Sequence, residues 1–358
     1  MSAAGAADAQ SWAEPAAART WPGVRAARIA ALKGDASSRR FWRIHLDPRP
    51  GDAPASAIVV DLGPEDLPAY VRALGLIPNP PPEPLYLNVQ RFLKSIGCAV
   101  PEIYEFSAAD RLILVEDVGE TALFDAALAG TEKPSTLYRL AVDELLLIHV
   151  EGTRLLSDAC VAAHLSYDAR LFRYELEQFV SDGIGSLGVA APPAGLETEL
   201  DELATRLGNF PRVLSHRDYH GNNLWLQHGR IRVIDFQDAL MAPAAQDLAV
   251  LLTTRDTGRV ISTATESRLL DYYLAGLARR GAPALAQDEM LESYRLCVLQ
   301  HSLKIIGRFN ALERQGKPGY AGYIPYAIAE ARRMLMQTDE FPTLRDLFQA
   351  NLESTDSA

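Results

Sequence analysis

Cysteine is scarce. Cys98, Cys160 and Cys297 are the three in the chain and lie far apart, so they supply neither a disulfide framework nor the paired spacing of a zinc site. No apolar run is long enough to span a bilayer. Positive charge is in deficit: 35 Lys and Arg face 46 Asp and Glu, a net −11. That balance argues against nonspecific nucleic-acid binding, which needs a basic surface to neutralise phosphates. The opening stretch MSAAGAADAQSWAEPAAARTWPG lacks the basic start and unbroken apolar core of a signal peptide, because Asp8 and Glu14 interrupt it. Residues 1–24 read as a frayed extension. These absences point to a cytoplasmic globular protein with no membrane and no nucleic-acid partner; they leave its oligomeric state open.

What remains is enough for two lobes: 358 residues, 48% of them hydrophobic. Arg28–Leu46 reads as strand, turn, strand, and Ser56–Gly63 as a third, β-branched strand. A proline-rich loop, Ile77–Pro84, precedes a helix with a glycine stop over Leu85–Gly97. Glu102–Asp117 gives two strands around a turn at Ala108–Asp110. From about Pro134 helical periodicity dominates. Ser135–Gly152 and Ser166–Gly183 each open on a serine suited to capping, and Leu200–Gly208 is helical. NLWLQ and RIRVIDF form a hairpin through His228-Gly229, and further helices follow. The expected architecture is α+β: a β-rich lobe over 25–118, a helical lobe over 119–345 and a tail over 346–358.

The stretch SHRDYHGNN, Ser215–Asn223, concentrates hydrogen-bonding side chains between two strands. His216, Asp218 and Asn223 stand in H-x-D-x-x-x-x-N spacing, and Asp235 follows at the end of the hairpin. Phosphoryl transfer from a nucleotide needs such a set. One carboxylate orients an acceptor hydroxyl and takes its proton, while an amide oxygen and a second carboxylate offer hard ligands to Mg2+. Asp218 is assigned as base, Asn223 and Asp235 as metal ligands. An Asp/Asn-rich turn bonding its own backbone is the bland alternative. The spacing, the hairpin and the terminal aspartate together favour chemistry.

HRDYHGNN…VIDF resembles the catalytic loop and metal-binding segment of the aminoglycoside phosphotransferase and choline kinase family, relatives of protein kinases. Longer segments, among them GDASSRRFWR, YDARLFRYELEQF, VIDFQDALMAPAAQDLAVLL and QHSLKIIGRFNALERQGKPGY, are similar to bacterial kinases that phosphorylate N-acetylmuramate and N-acetylglucosamine at C1. The likeness runs from about residue 28 to 340. It implies a two-lobed, protein-kinase-like fold, MgATP as phosphate donor, a sugar acceptor and a place in peptidoglycan recycling.

The resemblance places Gly34, Ser37 and Ser38 in a phosphate-covering turn, and Glu116 and Val118 in an adenine-binding hinge. The lysine usual on the third strand is missing; none occurs between Lys33 and Lys94. Arg39, Arg40 or Arg43 are substitutes, with Arg40 on the strand face opposite the other two. A solvated basic strand face is the alternative. His216 and Asp247 are expected to brace the loop. For the acceptor, His220, Gln237 and Asp238 lie beside the catalytic segments, and Arg255, Lys304, Arg308 or Lys317 can meet a lactyl carboxylate. Glu175 and Glu177 either bond sugar hydroxyls or face water, and Tyr219 and Trp225 either stack on the sugar or belong to the core. Two other functions stay open: a kinase for an aminoglycoside, choline or another amino alcohol, and a nucleotide-binding pseudokinase.

Overall fold

The structure, a computed structural model, describes residues 3–32, 39–48, 51–64, 67–283 and 285–355. Two compact units arise: Met1–Leu67 with Val100–Glu120, and Pro68–Ala99 with Thr121–Ala358. The chain passes between them three times. Pro68–Ala99, which sequence order places in the first lobe, therefore packs with the second unit.

The first unit begins with α1 (Ala3–Thr20) and holds β1 (Ala26–Ala31), β2 (Arg40–Leu46), β3 (Ser56–Asp61), β4 (Ile103–Ser107) and β5 (Leu112–Glu116). The strands form one antiparallel sheet in the order β1-β2-β3-β5-β4. Alternation gives the sheet two faces. Trp42, Ile44 and Leu46 of β2, Ala57 and Val59 of β3, and Leu112 and Leu114 of β5 bury one face in a cluster with Ala9, Ala13, Ala16 and Ala17. Those alanines recur at helical spacing along α1, so the extension expected to fray forms a helix instead. The small alanines let the helix lie close to the sheet, and Trp12 and Trp21 pack against the same cluster. Phe41, Arg43 and His45 point to the other face.

The second unit holds α2 (Ala69–Leu74), α3 (Leu85–Ser95), α4 (Leu123–Ala129) and α5 (Pro134–Leu146). A π-helical segment, Leu147–Gly152, leads from α5 into α6 (Thr153–Leu155). Next come α7 (Ala169–Gln178), α8 (Leu196–Asn209), β6 (Arg212–Ser215), β7 (Leu224–Gln227), β8 (Arg230–Val233), β9 (Leu240–Pro243) and α9 (Ala244–Thr253). The long helices α10 (Thr263–Arg279) and α11 (Gln287–Arg314), then α12 (Ile324–Leu335) and α13 (Pro342–Thr355), complete it. Neither serine expected to cap a helix does so. Pro134 opens α5 at its first turn, and Asp168 caps α7 by accepting the Leu171 N–H at 3.0 Å. The hairpin forms as expected: β7 and β8 pair from Leu224↔Val233 to Gln227↔Arg230. His228 and Gly229 both take positive φ (52° and 73°), as a two-residue type I′ connection requires. The sequence reading has no counterpart for β9, which pairs antiparallel with β6.

Candidate active site

The stretch 215–223 links β6 to β7, so one end is anchored by the β6–β9 pair and the other by the hairpin. Two carboxylates shape its interior. Asp247, buried in the first turn of α9, accepts the backbone N–H of His216 through Oδ2 and of Arg217 through Oδ1, each at 2.8 Å. It therefore braces another segment instead of capping its own helix. His149, on the π-helical segment, donates Nε2–H to Asp247 Oδ2 at 3.1 Å and accepts the Tyr273 hydroxyl at Nδ1 at 2.8 Å. The carboxylate only accepts, which settles which ring nitrogen carries the proton.

His216 donates from Nε2 to the Ile234 carbonyl at 2.9 Å, and Ile234 N–H donates to the Asn223 carbonyl at 3.0 Å. These bonds tie the loop to the residue before Asp235. Asp235 lies two residues beyond β8 and has φ 64°, a left-handed conformation costly for a non-glycine residue. Asn223 donates Nδ2–H to the Asp218 carbonyl at 2.9 Å, so its amide nitrogen is engaged. Gln237 donates to Asp235 Oδ1 at 3.1 Å and to Asp238 Oδ2 at 3.3 Å. His220 donates its backbone N–H to the Asp218 carbonyl at 3.0 Å, and its Nδ1 accepts the Asn222 N–H at 3.3 Å.

Asp218 is half-buried. Burial alone would raise its pKa. Lys304, Arg217, His220 and His216 outweigh that and hold it lowered to about 2. Arg217 has φ 76° and reaches away from the loop. It pairs with Glu175 Oε1 at 2.7 Å, and its guanidinium lies 3.9 Å from the centre of the Tyr70 ring. Lys304 approaches Glu175 Oε2 at 3.3 Å. Gln300 donates to the same oxygen at 3.3 Å, and Tyr167 donates its hydroxyl there too. Glu175, expected either on sugar or in water, is thus buried at the centre of a paired network, whereas Glu177 is exposed beside Arg173. Tyr219 belongs to the core, its hydroxyl donating to the Ala141 carbonyl at 2.8 Å, and Trp225 is half-buried in β7. Arg255, φ 56°, lies over the Tyr323 ring at 5.5 Å.

Among the described residues no cluster of three His, Cys, Asp or Glu forms a metal cage. The Asn223 amide oxygen and the Asp235 carboxylate, on segments tied by the Ile234 N–H to Asn223 carbonyl bond, are both hard oxygen donors. That set fits Mg2+, which takes one or two protein ligands and completes its shell with phosphates and water.

The first unit supplies the remaining candidates. Gly34, Ser37 and Ser38 lie outside the described residues. Arg40 is on the α1 face, bonded to Asp61 Oδ2 at 3.0 and 2.5 Å and 5.4 Å from the Trp42 ring centre. Arg43, on the opposite face, is largely buried. It meets Asp117 at 2.6 and 3.0 Å and the Gly119 carbonyl at 2.8 Å, and it also pairs with Glu120. Glu116 donates its N–H to the Glu102 carbonyl at 2.8 Å and accepts the Glu102 N–H on its side chain at 3.1 Å, and Val118 is buried.

Comparison with known proteins gives the family and the fold. The sequence profile described as "Phosphotransferase enzyme family" matches residues 28–287, the loop 215–223 and Asp235 included. The chain belongs to this phosphotransferase family. An N-acetylmuramate/N-acetylglucosamine kinase from Caulobacter vibrioides is 31% identical over 318 residues, covering 83% of this chain and 85% of the relative. A kinase of the same description from Pseudomonas putida is 28% identical, covering 91% and 89%. In fold, this phosphotransferase is similar to a choline/ethanolamine kinase family protein from Mesorhizobium loti: TM-score 0.57 at 14% identity, covering 95% of this chain and 99% of the other. The mixed sheet-and-helix architecture is thus the kinase-like one expected. Among the described residues no helix is long and apolar enough to cross a membrane.

Proposed function

We propose that this phosphotransferase moves the γ-phosphate of ATP to the C1 hydroxyl of N-acetylmuramate or N-acetylglucosamine. The observation that carries the reading is Asp218: an ionised carboxylate on a loop fixed from behind by Asp247 and tied to Asp235 through His216 and Ile234. The acceptor is taken from the two relatives' descriptions.

In this reading Asp218 orients the C1 hydroxyl and takes its proton as the phosphorus–oxygen bond forms. A low pKa suits this acceptor, because an anomeric hydroxyl is more acidic than an ordinary alcohol. Asn223 Oδ1 and Asp235 would hold Mg2+, which supplies charge neutralisation on the phosphates. Lys304 offers its ammonium to the acceptor, with Gln237, Asp238, His220 and Arg255 as further contacts. Arg43 takes the place of the missing third-strand lysine instead of Arg40, which lies on the α1 face and pairs with Asp61, and residues 25–118 bind the nucleotide while 119–345 bind the sugar. Dependence on ATP puts the reaction in the cytoplasm, where sugars recovered from the cell wall would be re-used.

The test is ADP release from MgATP with N-acetylmuramate, N-acetylglucosamine, glucose, kanamycin and choline, beside Asp218→Asn. Turnover on the N-acetyl sugars with phosphate at C1, reduced by roughly 10²–10⁴-fold in the variant, supports the reading. Turnover on kanamycin or choline alone would replace the acceptor and keep the phosphotransfer. ATP binding without turnover on any member would favour a pseudokinase.

A further inference from the structure

Two cations and two carboxylates, one of them the base Asp218, meet here. Glu175 is buried, and both its oxygens are engaged, one with Arg217 at 2.7 Å and the other with Lys304 at 3.3 Å. Arg217 is further fixed on the Tyr70 ring. With Asp218 counted, Glu175, Arg217 and Lys304 sum to zero charge. The 3.3 Å contact uses one of the three donors of Lys304, whose side chain is 12% exposed, so the ammonium keeps capacity for another oxygen. Lys304 and Arg217 are also the two strongest attractions acting on Asp218, so their field reaches the place where an acceptor must sit.

We infer that Glu175 sets the acceptor preference: by pairing Lys304 and Arg217 it keeps the acceptor end from favouring carboxylated sugars over uncharged ones. Glu175 is a positioning residue, acting through Lys304. The inference rests on the proposed acceptor class. Removing its charge while keeping its shape makes the surroundings of the base more positive by one unit of charge. At a separation of several ångströms and intermediate screening, that charge favours a carboxylate by roughly tenfold.

The experiment compares wild type, Glu175→Gln and Lys304→Met. Lactate serves as a bare carboxylate probe, titrated by NMR, and kcat/KM is measured for N-acetylmuramate and N-acetylglucosamine. Glu175→Gln is expected to bind lactate about tenfold more tightly than wild type and to raise the N-acetylmuramate to N-acetylglucosamine ratio by a similar factor. Lys304→Met shifts both the other way. Loss of both sugar activities in equal proportion, with lactate affinity and the ratio unchanged, would make Glu175 a brace only and overturn the inference. If wild type turns over neither sugar, the proposed acceptor fails and the lactate titration alone decides the role of Glu175. If Glu175→Gln does not fold, Lys304→Met decides, and an unchanged ratio and lactate affinity there overturn the inference.

Discussion

Asp247 holds the backbone N–H groups of two consecutive residues, His216 and Arg217, each at 2.8 Å, and the next residue is Asp218. A single buried carboxylate thereby fixes the peptide planes leading into Asp218. Hydrogen bonds to a charged acceptor contribute about 1.5–3 kcal/mol each. Asp247→Ala strands both donors and the His149 ring N–H, and is expected to cost about 3 kcal/mol or more. Asp247→Asn keeps one acceptor and should cost less, yet still lower kcat, because one of the two peptides is released. Denaturant unfolding and ADP-release kinetics on the two variants check the order.

Arg217 occupies left-handed backbone that glycine adopts freely. Arg217→Gly relieves the strain but removes the pair with Glu175, whereas Arg217→Ala removes the pair and keeps the strain. The glycine variant is expected to be the more stable of the two by about 1 kcal/mol, with both reduced in turnover. Equal stabilities would contradict a backbone cost at this position.

Acid stability should follow His301. Burial, helped by the Lys304 ammonium, lowers its imidazole from 6.5 to about 3. The unfolded chain binds a proton there as pH falls through 6.5 and the folded chain does not, so stability is full above that pH and declines toward 3. At pH 4 the loss is about 3 kcal/mol. Glu175 and Asp218, both lowered to about 2, add a later loss as pH falls below about 4.5. Thermal unfolding between pH 7 and 4 should show the first decline, and His301→Gln should flatten it.

Gly307 of α11 lies against the π-helical segment Phe179–Gly183, and a Cβ there would stand 2.2 Å from the Gln178 carbonyl oxygen. A backbone atom cannot swing aside, so Gly307→Ala must push α11 from α7. A cost of about 3 kcal/mol is expected. The same shift separates Lys304 on α11 from Glu175 on α7, so turnover should fall even where the variant remains folded. Calorimetry and kinetics on one preparation test both.

Local structure is legible where it is written in neighbouring residues. The His228-Gly229 turn, the alternation that puts Arg40 and Arg43 on opposite faces, and the H-x-D-x-x-x-x-N spacing all depend on residues close in sequence. Contacts between distant segments were harder to read. β9 is short and gains its identity from pairing with β6. His149 reaches Asp247 from a π-helical turn, a geometry without a sequence signature. Glu175 did leave a trace: it interrupts the apolar stripe Leu171, Phe172, Leu176 and Phe179, and a charge on a buried stripe calls for partners. At α7 both Ser166 and Asp168 suit the cap and the aspartate takes it, whereas α5 already begins at Pro134, before Ser135.

The alanine stripe of α1 is the one helical layer on the five-stranded sheet of the first unit among its described residues. A protein shortened to start at residue 25, trimmed as though the first residues were a tail, would present Trp42, Ile44, Leu46, Val59, Leu112 and Leu114 to water as a flat adhesive patch. The helix Ala3–Thr20 is therefore expected to keep the first unit from self-association.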